Sequence, residues 1–183
     1  MSYRIYTTKG FILGSKTSGE TSKSYFIYTE DFGLIWARAQ GIRLIKSKLR
    51  FHVREYTPIT LSLVKGREIW RITGSVSEDT NQAPVFVAMR ARVFALTRRL
   101  VQGEEKNEIL FETLSELFNT EFSELSSEED ILALETLVLV RVLSILGYLD
   151  LNKHLPENSF LSAKTNRKIL IPLINKAIIE SQL

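Results

Sequence analysis

The hydrophobic positions of this chain change period once, near residue 80. Over residues 57–64, Thr57, Ile59, Leu61 and Leu63 alternate with Pro58, Thr60, Ser62 and Val64, the two-residue period of a strand with one buried face. Residues 3–14 and 23–30 are rich in Tyr, Ile, Thr and Phe and flank a turn-like SKTSGE. TEDFG leads into a further strand through a glycine turn, and KGRE precedes a fifth, starting near Arg67 and ending in RITGSV. Five short antiparallel strands with small connections predict a partly closed barrel, because closure removes exposed strand edges.

After the polar linker SEDTNQAP, residues 77–84, the period becomes helical. Phe86, Met89, Val93, Leu96 and Leu100 recur at helical spacing, as do Leu110, Leu114, Leu117 and Phe118. Ser127, followed by Glu128, Glu129 and Asp130, is an N-cap with acids in the first turn and opens a helix to about Leu146, with Gly147 as its stop. A last helix is predicted from about Lys164 to Glu180, and Pro172 inside it is expected to kink or split it. The fold class is therefore α+β, strands first and helices second. A barrel domain is expected at residues 1–80 and an all-helical domain at 81–183.

Composition narrows the chemistry. Hydrophobic residues at 44% and charged residues at 25% are those of a folded chain. No cysteine is present, which removes disulfides, thiolate zinc sites, iron–sulfur clusters and cysteine nucleophiles. The start, MSYRIYTTKGF, reads as a strand and not as a secretory signal. The apolar run from Ile131 to Leu149 is broken by Glu135, Arg141 and Ser144, so a buried helix is expected, not a membrane span. A cytoplasmic, membrane-free protein is the expectation.

The net charge of +3 hides a partition along the chain. Residues 1–80 carry 13 basic and 7 acidic groups, and residues 81–103 carry four arginines and no acid. Residues 104–135 hold eleven acids against Lys106 alone. Most concentrated is GLIWARAQGIRLIKSKLRFHVREY, where Arg38, Arg43, Lys46, Lys48, Arg50 and Arg54 follow one another with no acid between Arg38 and Arg54. Alternation over residues 34–40 puts Ile35, Ala37 and Ala39 inward, a small set suited to a narrow barrel, and Trp36 and Arg38 outward. An aromatic beside a guanidinium is a workable platform for an unpaired base, with lysines nearby for phosphates. The plainer alternative has Trp36 packed on the helical half and the bases serving only as solubilising charge. IRLIKSKLR mixes Ile42, Leu44, Ile45 and Leu49 with cations and reads as a short helix, an ordered loop, or a segment that orders on nucleic acid.

Catalytic patterns are missing. The chain has two histidines, His52 and His154, each with a glutamate three residues on, which is at most half a metal site, so no metal and no cofactor are expected. There is no G-x-S-x-G, Walker loop or G-x-G-x-x-G. The acids of 104–135 read as a solvated helical face. The arginines of RARVFALTRR (Arg90, Arg92, Arg98, Arg99) would neutralise those acids, receive an acidic peptide or extend a nucleic-acid path.

Residues 9–50, KGFILGSKTSGETSKSYFIYTEDFGLIWARAQGIRLIKSKLR, resemble the bacterial recombination mediator and DNA repair family RecO. The resemblance lies in the apolar triplet closing the first strand, the Gly19–Glu20 turn and the strand ending in T-E. It continues in the A-x-G-I-R of Ala39, Gly41, Ile42 and Arg43, and in the S-K-L-R tail at Ser47 to Arg50. VLVRVLSILGYLDL, residues 138–151, is a weaker echo. The resemblance implies an N-terminal OB-fold, binding of single- and double-stranded DNA, strand annealing, and help in loading RecA onto DNA covered by single-strand-binding protein, with RecR as partner. By position it implies DNA contacts at Arg43, Lys46, Lys48 and Arg50; the residue pattern adds Trp36, Arg38 and Arg54. Many family members carry a four-cysteine zinc motif that this chain lacks, and its C-terminal part is shorter than usual for the family, which bears on the RecR and single-strand-binding-protein contacts. Two other functions fit the same residues: an interaction module docking a basic partner through the acidic helical face, and an RNA-binding OB protein.

Overall fold

The computed structural model describes residues 4–78, 83–118, 125, 127–154 and 157–181. The linker predicted at 77–84 therefore lies partly, at 79–82, outside the described residues, as does the side chain of His154. The chain forms two compact units. One comprises residues 1–80 together with 102–107, and the other residues 81–101 and 108–183. A six-residue return segment thus joins the first unit, a departure from a single cut in the chain.

The first unit is a closed barrel of β1 (Ile5–Ser18), β2 (Ser22–Thr29), β3 (Gly33–Ala39), β4 (Pro58–Lys65) and β5 (Trp70–Ser77), in the order β1-β2-β3-β5-β4. Closure rests on the length of β1. Its first half pairs with β4 and its second half with β2, and the register shifts at Ile12/Gly14 where it passes between them. β3 and β5 meet in parallel over two pairs, Ala37 with Trp70 and Arg38 with Arg71; every other pairing is antiparallel. This order and the single parallel seam are those of an OB-fold. The fifth strand begins at Trp70, later than the expected Arg67, because the turn before it closes with Gly66 donating to the Ile69 carbonyl at 3.1 Å.

The alternating residues fill the barrel as their period requires. Ile12, Tyr25, Ile27, Ile35, Ala37, Ala39, Ile59, Leu61, Leu63 and Ile72 form one buried core. Alanines at 37 and 39 leave room for Trp70, which is 2% exposed and lies edge-on to Tyr6 at 5.6 Å and tilted on Phe32 at 4.8 Å.

In the second unit α1 (Pro84–Leu100), α2 (Glu108–Ser115), α3 (Glu128–Ile145), the short α4 (Leu151–His154) and α5 (Phe160–Glu180) are described. α3 starts where Ser127 Oγ accepts from the Asp130 amide at 3.1 Å. It ends in a Schellman turn, with Tyr148 donating to the Leu143 carbonyl at 2.8 Å and Gly147, at φ 80°, donating to Ser144 at 3.0 Å. α5 begins four residues before the predicted start, capped by Ser159 Oγ accepting from the Ser162 amide. Pro172 does not split it. Leu170, Ile174 and Ala177 are buried with Leu137, Val140 and Leu143 of α3, and that packing outweighs the one backbone bond a proline removes. No described helix is long and apolar enough to cross a membrane.

Several charges in this unit are paired with each other. Glu135 receives two bonds of 2.6 Å from Arg92, Glu116 pairs with Arg141, and Asp130 pairs with Lys164 at 2.6 Å. Arg90 is buried, donates to the Phe86 carbonyl at 3.2 Å and lies 4.8 Å from the Phe118 ring. Two of the four α1 arginines thus hold the helices together.

Candidate nucleic-acid interface

The connection from β3 to β4 is an irregular loop with one 3-10 turn at Leu49–Phe51. Its apolar residues divide by position. Ile42 and Val53 are buried in the barrel core, and Leu49 packs against it. Backbone bonds pin the loop's start to the β1–β2 turn, with Arg43 donating to the Thr21 carbonyl at 2.9 Å and Gly41 to Ser22 Oγ at 3.2 Å. Residues between the anchors are consequently turned outward. Arg43, Lys46, Lys48, Arg50 and Arg54 are all exposed, as is Arg38 on β3.

None of these six cations forms an ion pair with a carboxylate among the described residues. The nearest acid in sequence, Glu55, is engaged elsewhere, accepting from Ser15 Oγ. Burial, with the Glu55 charge added, pushes the Tyr25 hydroxyl up to about 12, so Tyr25 stays neutral beside the cations.

The six do not share one cleft. Arg43 and Arg50 line a cleft of about 300 Å³ with Lys23, Tyr25, Ile42 and Val53. Arg38 lines a second, of about 540 Å³, with Gln40, Arg67, Arg71 and the Lys65–Ile69 turn. The two clefts flank the exit of β3, since Gln40 belongs to one and Ile42 to the other. Lys46, Lys48 and Arg54 line neither. Trp36 stands on the outward side of β3 but is half-buried, its ring 4.0 Å from that of its cross-strand neighbour Phe26.

Lys23, Lys65, Arg67 and Arg71 were not singled out by the sequence pattern. Lys65, Arg67 and Arg71 join Arg38 because β3 and β5 are neighbours, a non-local fact that an OB strand order and its β4–β5 turn would have pointed to. Lys23 instead reaches the smaller cleft from β2, where it is the register partner of Ala39. Arg38 and Arg71 are register partners on parallel strands and both line the larger cleft.

The 102–107 segment borders this face. Glu104 accepts from Lys65 Nζ and from Trp70 Nε1, both at 2.9 Å, and the Asn107 carbonyl accepts from the Tyr28 hydroxyl at 3.3 Å. Burial pushes the Glu104 carboxyl up, but the bonds from Lys65 and Trp70 and the Lys65 charge together hold it below the ordinary carboxylate range. Removing the carboxylate with Glu104→Ala strips the buried indole N–H of its acceptor and should cost about 1–2 kcal/mol, most of it from the indole because the Lys65 pair is solvent-screened. Glu104→Gln keeps an acceptor and should cost less. A depressed folded pKa makes the carboxylate's contribution complete above the unfolded value and lost as pH falls through the folded one. The gap between wild type and Glu104→Gln, measured by urea unfolding, should therefore be full at neutral pH and close as pH falls through and below the ordinary carboxylate range.

Residues 1–79, the whole of the barrel strands, match the family model described as recombination protein O N terminal. The barrel is similar to a RecO N-terminal domain. Similarity to RecO proteins continues past it. The chain is 27% identical over 160 residues to the DNA repair protein RecO of Alkaliphilus metalliredigens (strain QYMF), covering 82% of this chain and 61% of that protein. It is 29% identical over 131 residues to the DNA repair protein RecO of Dehalococcoides mccartyi (strain ATCC BAA-2266 / KCTC 15142 / 195), covering 67% of this chain and 52% of that protein. The chain thus spans between half and about three-fifths of the length of these RecO relatives.

Proposed function

We propose that this RecO-type chain is a non-enzymatic DNA-binding mediator of recombinational repair. It holds single- and double-stranded DNA through the cations flanking the β3 exit, anneals complementary strands by neutralising two backbones, and assists loading of RecA on single strands, with RecR and single-strand-binding protein as partners. The observation that carries the reading is the pairing of Arg38 with Arg71 beside a turn that adds Arg67, on the part of an OB barrel where such folds take oligonucleotides. Arg43, Lys46, Lys48, Arg50 and Arg54 extend that surface along the loop, and Trp36 contributes its exposed edge. The engagement of Glu104, Glu116, Asp130 and Glu135 in internal pairs leaves the acidic helical face less suited to docking a basic partner.

Annealing of complementary oligonucleotides, bare and coated with single-strand-binding protein, tests the proposal. Acceleration in both cases is the expected result. No acceleration of bare strands would remove the annealing function, and equal capture of matched RNA in competition would favour an RNA-binding protein instead.

A further inference from the structure

Among the outward residues of the β3–β4 loop, three are large and apolar. Leu44 is 51% exposed, Phe51 66% and Ile45 86%. A loop free to bury these residues would do so, but its inward positions are already taken by Ile42, Leu49 and Val53. Cations are interleaved with the exposed apolar residues, Lys46 and Lys48 between Ile45 and Phe51, and Arg50 with its guanidinium 5.5 Å from the Phe51 ring centre. Apolar side chains held out among cations that form no ion pair with a described carboxylate suit a ligand that is anionic along one edge and flat and apolar along the other. Single-stranded nucleic acid has that character.

We propose that Phe51 is the base-contacting side chain of this interface, stacking on an unpaired base, with Ile45 as a second apolar contact on the same loop. The proposal rests on the DNA-binding reading above and adds a division of labour to it: cations of the loop hold the backbone and Phe51 holds a base. Trp36, half-buried against Phe26, offers a base less of its ring than Phe51 does.

The test compares a thymidine oligonucleotide with an abasic one of equal length and charge, over a range of salt. Wild type should favour the thymidine strand by roughly 5- to 100-fold, the worth of a stacked base. Phe51→Ala, and Phe51→Ala with Ile45→Ala, should bring that ratio toward one without changing the salt slope, and Phe51→Trp should restore it. Lys46→Ala with Lys48→Ala should do the reverse, lowering the slope and leaving the ratio. Equal wild-type affinity for both strands overturns the proposal while leaving the DNA reading intact. So does a ratio that survives Phe51→Ala, which would hand the apolar residues to a protein partner. Wild-type failure to bind either strand sinks the proposal and the DNA reading together.

Discussion

Replacing Gly33 with alanine should lower the protein's melting temperature by about 10 °C or more, far beyond the effect of the same change at Gly19. Both glycines sit in hairpin turns at positive φ, 64° and 74°, so both substitutions carry the cost of a left-handed alanine, about 1–2 kcal/mol. They differ in surroundings. A Cβ at Gly19 meets nothing within 4 Å, whereas at Gly33 it would collide with the Glu105 backbone, coming within 2.6 Å of its carbonyl carbon and 2.8 Å of its nitrogen. Backbone cannot swing aside as a side-chain tip can, so the 102–107 segment must lift or β3 must shift. Hydrogen exchange should show the lift directly, as faster exchange of the Gln102–Asn107 amides in Gly33→Ala and not in Gly19→Ala. Equal destabilisation by the two substitutions would mean that the segment does not press on this turn.

Removing Lys46, Lys48 and Arg50 together should weaken single-stranded DNA binding by roughly one to two orders of magnitude at low salt. If each meets one phosphate, the slope of log affinity against log salt should become shallower by about 2, at roughly 0.7 per contact. Stability should scarcely move, because all three are exposed and none is in an ion pair with a described residue. Lys168 and Lys176, exposed on α5, are the control, and their replacement by alanine should leave the slope unchanged. A triple variant with the wild-type slope would mean that these side chains meet no phosphate.

The local parts of this structure could be read from residue order alone. Alternation at 57–64 and the small inward set Ile35, Ala37 and Ala39 follow from the strand period and the space inside a barrel. The Ser127 cap and the Gly147 stop depend on residues within one helical turn of each end. What could not be read is what distant segments do to one another. Trp36 faces outward as its period requires, but its burial is decided by Phe26, brought opposite by the β2–β3 register. The Arg38 cleft depends on Arg67 and Arg71, delivered by a parallel seam of two residue pairs. Glu104, one acid among eleven between residues 104 and 135, gave no sign that it would return to Trp70. Of the kink or split expected at Pro172, the split does not occur, because the packing of α5 on α3 carries the helix through it.

Lysine footprinting puts the central claim to its most direct test. The protein would be acetylated briefly with and without a single-stranded oligonucleotide, and each lysine's modification read by mass spectrometry. Lys23, Lys46 and Lys48 should be protected several-fold by the oligonucleotide, while Lys168 and Lys176 on α5 react as before. Protection confined to the α5 lysines, with Lys46 and Lys48 fully reactive, would contradict it.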